Sequence, residues 1–140
     1  MIVKQVSVFV ENTVGRLAEL TKILTDNNID LKASTIAETV DFGILRCIVE
    51  DPEKTVKILT ENGFSASISE VTGVSLEDKP GGLHKVLAVL AEAGIAVNYI
   101  YSTIKSAEGK AIIMLKTSDA AKAAEVLKAS GVELAGVDSF

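Results

Sequence analysis

Glu11-Asn12-Thr13-Val14-Gly15-Arg16-Leu17 returns 66 residues later as Glu77-Asp78-Lys79-Pro80-Gly81-Gly82-Leu83. The echo continues downstream: Leu24, Ile29 and Gly43 recur as Leu90, Ile95 and Gly109 at the same offset. Leu59 and Gly63 recur as Leu127 and Gly131 at an offset of 68. A unit of that length is too long for a solenoid repeat and suits a small independent fold. The chain therefore reads as two similar domains in tandem, residues 1–71 and 72–140. No Pro- or Ser-rich linker separates them, so the copies are expected to be joined directly.

Within each copy the apolar spacing changes period in the same order. Val6, Val8 and Val10 alternate with polar neighbours, as in a strand with one core face. Leu17, Leu20, Ile23 and Leu24 then follow helical spacing between Val14 and Asn28, where Asn27-Asn28 ends the helix. Two β-rich runs, residues 31–38 and 42–50, flank a turn at Thr39-Val40-Asp41. Pro52 opens a second helix that Gly63 closes, and residues 64–71 return as a strand. The second copy predicts strands over 74–77, 97–105, 111–117 and 133–138, with helices over 81–93 and 119–130 and a hairpin turn at residues 106–109. The order βαββαβ, twice, gives an α+β fold of two tandem ferredoxin-like units, each an antiparallel sheet with helices on one face. Ile44, Ile48, Ile112 and Met114 fall on the face opposite Leu45, Cys47, Ile113 and Leu115. Strands apolar on both faces need cover on both. The second face is thus expected to meet the other copy or another subunit, which points to a homodimer.

Composition narrows the function classes. Fourteen basic residues against 19 acidic ones leave a net charge of −5, which disfavours nucleic acid as a partner. Aromatic residues make up only 4%, too few for an RNA-stacking sheet. No apolar run is long enough to span a bilayer, and no secretory signal pattern opens the chain. Cys47 is the single cysteine, which excludes an intramolecular disulfide and fits the reducing cytoplasm. His84 is the only histidine and lacks companions at metal-ligand spacing, so neither a metal nor a cofactor is implied. No nucleophile, acid and base constellation supports an enzyme, and no phosphate-binding fingerprint is present.

The two glycine-bearing turns remain as candidate chemistry. Glycine lets a ligand approach the backbone, and the helix that follows offers N–H groups to a carboxylate. Asn12 and Asp78 stand where a helix cap or an ammonium partner could sit. Two readings stay open on these residues alone: plain capping of a buried helix, or a site for a small amino acid. Glu11 and Glu77 could face an ammonium or lie in solvent. Arg46 could anchor a carboxylate or pair with an acid nearby, and Cys47 reads as a buried small hydrophobe.

Asp78-Lys79-Pro80-Gly81-Gly82-Leu83, followed by Ala93-Gly94-Ile95-Ala96-Val97-Asn98, resembles the ACT domain, a small-molecule-binding regulatory module of βαββαβ topology. Asn12-Thr13-Val14-Gly15-Arg16-Leu17, with Asn28-Ile29-Asp30-Leu31, is similar in the first copy. The resemblance implies an amino acid held at an interface between ACT units, between the first strand-to-helix loop of one and the second strand of a neighbour. It points to Asn12, Thr13, Val14, Gly15, Arg16 and Leu17 in the first copy, and to Asp78, Lys79, Pro80, Gly81, Gly82 and Leu83 in the second. Asn98, with Tyr99 and Tyr101 on the second strand, would supply the neighbour's contacts. Val14 stands in place of the proline, and Lys32-Ala33-Ser34 in place of Asn98-Tyr99-Ile100, so the two loops need not be equivalent. The two copies consume the 140 residues. The expectation is a non-catalytic cytoplasmic sensor whose output is a separate effector or enzyme chain. The rival is an assembly module without a ligand.

Overall fold

Alternating valines make Ile2–Glu11 a strand, β1, with Val6, Val8 and Val10 buried on its inner side. Among the residues that the computed structural model describes, 2–104 and 107–140, it is followed by α1 (Arg16–Asp26), β2 (Ala33–Glu38), β3 (Phe42–Ile48), α2 (Pro52–Glu61) and β4 (Ser65–Glu77). The second round comprises α3 (Gly82–Glu92), β5 (Val97–Ser102), β6 (Lys110–Thr117), α4 (Ala120–Ala129) and β7 (Glu133–Leu134), with a 3-10 turn at Val137–Ser139. The fold is the expected one: two tandem ferredoxin-like units with antiparallel sheets. The two strands expected on either side of the repeat boundary are a single strand, β4.

The chain divides into two compact units within β4. The first, Lys4–Ser69, orders its strands β2-β3-β1-β4. Val8 lies opposite Leu45 and Val6 opposite Cys47, so both pairs face the helices together. They close a core with Leu20 and Leu24 of α1, Leu59 of α2, and Phe64. The second unit, Glu70–Phe140 with the start of β1, orders β5-β6-β4 and sets β7 on the other edge of β4. Its core joins Val74 and Leu115 to Val86 and Leu90 of α3 and Ala123 and Leu127 of α4. The helix stops follow the sequence: Asn28 takes φ 55°, and Gly63, Gly94 and Gly131 turn the chain in the same left-handed way.

The last strand departs from expectation. It covers two residues where six were expected: Ala135 N–H still donates to the Gly73 carbonyl at 2.8 Å, in register with β7, and the chain then enters the 3-10 turn at Val137–Ser139. Gly73 allows that approach: a Cβ there would lie 2.3 Å from the Ala135 carbonyl oxygen and 3.4 Å from Met114. Gly73 lies opposite Met114, on the face away from the helices. Met114 and Ile112, on the face that was expected to meet the other copy or another subunit, are both buried. On the same face of the first unit, Phe9 stays half exposed beside Phe42, ring centres 5.1 Å apart. Lys105, the expected end of β5, and Ser106 of the second hairpin lie outside the described residues.

Candidate functional site

Both glycine turns fold alike. Thr13 N–H donates to the Glu11 carbonyl at 2.8 Å, and Lys79 N–H to that of Glu77 at 2.9 Å. Asn12 N–H reaches across to the Asp41 carbonyl and Asp78 N–H to that of Gly109, both at 3.0 Å, which ties each turn to the hairpin beside it. The helices begin later than Asn12 and Asp78 suggested. Their N-caps are Gly15 and Gly81, at φ 86° and 89°, and no side chain caps either helix. The capping role expected of Asn12 and Asp78 is thereby corrected. Asn12 instead points Nδ2 at the Val40 carbonyl, 3.5 Å away. By contrast, α2 and α4 are capped by Asp51 and Asp119, whose Oδ1 atoms each accept an amide hydrogen bond at 3.0 Å. The first amides of a helix have no partner inside it. In α1 and α3 those of Arg16 and Gly82 turn back to the Thr13 and Lys79 carbonyls at 3.3 and 3.1 Å, and no side chain caps either end.

Around the first turn Asn12, Thr13, Leu17, Ile36, Glu38 and Gly43 line a shallow pocket of about 240 Å³. Ile36 and Glu38 were not among the expected site residues. They follow from the register, in which Glu38 lies opposite Gly43 and Ile36 opposite Leu45. Val14 is fully exposed at the tip of the turn. Arg16 is engaged by its own unit: Nε donates to Glu11 at 2.7 Å and Nη1 to Glu19 at 3.0 Å, and the guanidinium lies 3.8 Å from the Phe64 ring centre. The second turn pairs Glu77 with Lys79 and has Lys110 directly across the sheet, itself 2.5 Å from Glu133.

Asn98, Tyr99 and Tyr101 lie elsewhere. Val97 pairs with Thr117 at one end of β6, whereas Glu77 pairs with Lys110 at the other. Seven residue steps of about 3.3 Å put roughly 23 Å between the ends, so one unit does not bring Asn98 to residues 78–83. Asn98 sits exposed at an irregularity in the β5–β6 pairing. Tyr99 and Tyr101 share the face away from the helices and stack with ring centres 6.4 Å apart, Tyr101 buried beside Met114. His84 is exposed, and Cys47 is buried with its thiol pushed up to about 12 by burial, too high for a thiolate at neutral pH. Among the described residues no cluster of His, Cys, Asp and Glu could hold a metal, and no helix is long and apolar enough to cross a membrane.

The family described as an ACT domain pair matches residues 1–137. The chain belongs to the ACT domain family. A protein of Bacteroides thetaiotaomicron with a solved structure is 44% identical to this ACT pair, with a TM-score of 0.90 over 96% of this chain and 92% of that one. The ligand-free regulatory subunit of aspartate kinase from Thermus thermophilus matches at a TM-score of 0.66 over 91% of each chain. Its identity is 14%, so the likeness is one of fold. No curated protein matches the chain.

The carboxylates of the turns yield a prediction. The Arg16 hydrogen bond holds the Glu11 carboxyl below its ordinary value of 4.5, and the Lys79 hydrogen bond, with the charges of Lys79, Lys85 and Lys110, does the same for Glu77. A depressed carboxylate contributes stability that is fully present above the unfolded value and is lost as pH falls through the folded one. Both groups are therefore expected to titrate below 4.5 in a carboxyl-carbon NMR titration, and Arg16→Ala should return Glu11 towards 4.5. Titration of Glu11 at 4.5 in the unaltered protein would mean that the Arg16 pair does not persist in solution.

Proposed function

We propose that this ACT pair, read as ACT-like domains over residues 1–71 and 72–140, is a non-catalytic regulatory sensor that binds a free amino acid at an interface between ACT-like units. One observation carries the reading. The two helices that follow the glycine turns, α1 and α3, are without side-chain caps, while α2 and α4 are each capped by an aspartate. Uncapped helix N-termini favour a carboxylate, and the left-handed glycines keep side chains out of its way. Residues 12–17 and 78–83 supply this half of the site. Asn98, Tyr99 and Tyr101 lie too far along their own unit to complete it, so they serve a neighbouring one, which calls for a homodimer. The output passes to a separate chain in the cytoplasm, in the manner implied by an aspartate kinase with a regulatory subunit of its own.

A thermal-shift screen against the twenty amino acids, with calorimetry on any responder, tests this. A ligand that binds only the folded state adds about 2.7 kcal/mol at a hundred times its dissociation constant. Gly81→Trp is expected to remove the response. Gly94→Trp is the control, because φ is 70° there and a Cβ meets nothing within 4 Å, so it carries similar strain away from the turn. Silence towards every amino acid at millimolar concentration would overturn the reading in favour of an assembly module.

A further inference from the structure

The two copies use one position in opposite ways. In the first unit Arg16 folds back against its own turn, held by Glu11, Glu19 and the Phe64 ring, with Nη2 3.4 Å from the Gly63 carbonyl. The repeat puts Gly82 at that position in the second copy and supplies a counterpart for each partner: Glu77 for Glu11, Lys85 for Glu19, Gly131 for Gly63 and Val132 for Phe64. Those four residues and Gly82 together line a single cavity of about 270 Å³. The cavity corresponds to the space that the arginine side chain and its aromatic wall fill in the first unit.

We propose that this cavity binds one free α-amino acid with a small aliphatic side chain per chain, and that Arg16 closes its counterpart in the first unit. The walls argue for the class. Leu76, Val86 and Val132 give an apolar floor, with the carboxylates of Glu77 and Glu133 and the ammonium groups of Lys85 and Lys110 around it. A plain cation in the manner of Arg16 would find Glu77 but would meet Lys85 where Arg16 meets Glu19. A plain anion would find Lys85 and meet Glu77. A zwitterion satisfies both, its ammonium towards Glu77 and the Gly131 carbonyl and its carboxylate towards Lys85. The ligand class rests on the amino-acid-binding reading above; the place does not, since Asn98, Tyr99 and Tyr101 take no part.

The test is amide NMR on the full chain with L-valine, and with isobutylamine and isovalerate as analogues that carry one of its two charges. Valine is expected to move the Gly131 and Val132 amides saturably while Gly63 and Phe64 stay still, and each analogue to bind at least about tenfold more weakly. Lys85 is exposed, so Lys85→Glu should lower the unfolding midpoint only slightly, through the charge it shares with Glu77, while weakening valine by about tenfold or more through like-charge repulsion. Shifts at Gly81 and Asn98 with Gly131 and Val132 unmoved, or indifference to Lys85→Glu, would overturn the cavity and leave the interface reading standing. Shifts at Gly63 and Phe64 equal to those at Gly131 and Val132 would overturn the closing role of Arg16. An absence of any saturable shift with valine would overturn the cavity, and the twenty-amino-acid screen then decides the interface reading by itself.

Discussion

Alanine in place of Gly82 is expected to destabilise the protein by about 1–3 kcal/mol, the usual cost of forcing atoms into filled space. The sign is the informative part. Gly82 opens α3, and by propensity alone a helical glycine changed to alanine gains roughly 0.5–1 kcal/mol. Here a Cβ would lie 2.2 Å from the Glu77 carbonyl oxygen and 3.4 Å from Leu76. A backbone carbonyl at the end of β4 cannot swing aside as a side chain would, so the turn must open and Glu77 must move with it. The first copy has a Cβ at this position, on Arg16, and its turn is slightly looser: Arg16 N–H reaches the Thr13 carbonyl at 3.3 Å, against 3.1 Å for Gly82 to Lys79. Urea unfolding of Gly82→Ala measures the balance. Stability equal to or above that of the parent would mean that the turn yields freely, and the difference between the copies would then lie in the side chain of Arg16 alone.

What the sequence reveals and what it conceals divide by range. The valines of β1, the apolar rows of α1 and α3 and the helix stops at Asn28 and Gly94 depend on neighbours within a few residues, and the repeat states them twice. Element order and fold class follow from them. The site depends on contacts that cross the chain. Asn12 and Asp78 look like caps, yet each has its amide drawn to a hairpin carbonyl, Asp41 or Gly109, and the helix then starts at the next glycine. Arg16 looks free to meet a ligand, but Gly63 and Phe64, which hold it, lie 47 and 48 residues on. The close approach of Ala135 to Gly73, which the glycine permits, crosses from β4 to the last strand and has no local sign in the sequence. Within one unit the strand directions set Asn98 and residues 78–83 at opposite ends of β6, a separation that spacing along the sequence does not show. The cavity beside Gly82 has a sequence trace, the Arg16–Gly82 mismatch within an otherwise faithful repeat, which gains meaning only once the partners of Arg16 are known.

Leu90→Ala is expected to cost about 2–5 kcal/mol, the range for deleting a fully buried leucine side chain. Leu90 is wholly buried between Val74 and Leu115 of the sheet and Leu127 of α4, and its carbonyl accepts the Ile95 amide at 2.9 Å where α3 ends. One residue thus joins the sheet and α4 through its side chain and the turn that stops α3 through its carbonyl. Leu90→Met keeps most of the volume and should cost under about 1.5 kcal/mol, which separates the loss of packing from any effect on the backbone. The position also reaches function. Leu90 and Val86 seat α3 on the sheet, and the N-terminus of α3 forms one wall of the cavity beside Gly82. A ligand that binds only the folded second unit must then raise the midpoint of Leu90→Ala by the same free energy as that of the parent, since linkage depends on ligand concentration and affinity, not on starting stability. If chemical unfolding shows a smaller increment in the variant, Leu90 also sets the shape of the cavity, and core packing and recognition in this unit are coupled through the seat of α3.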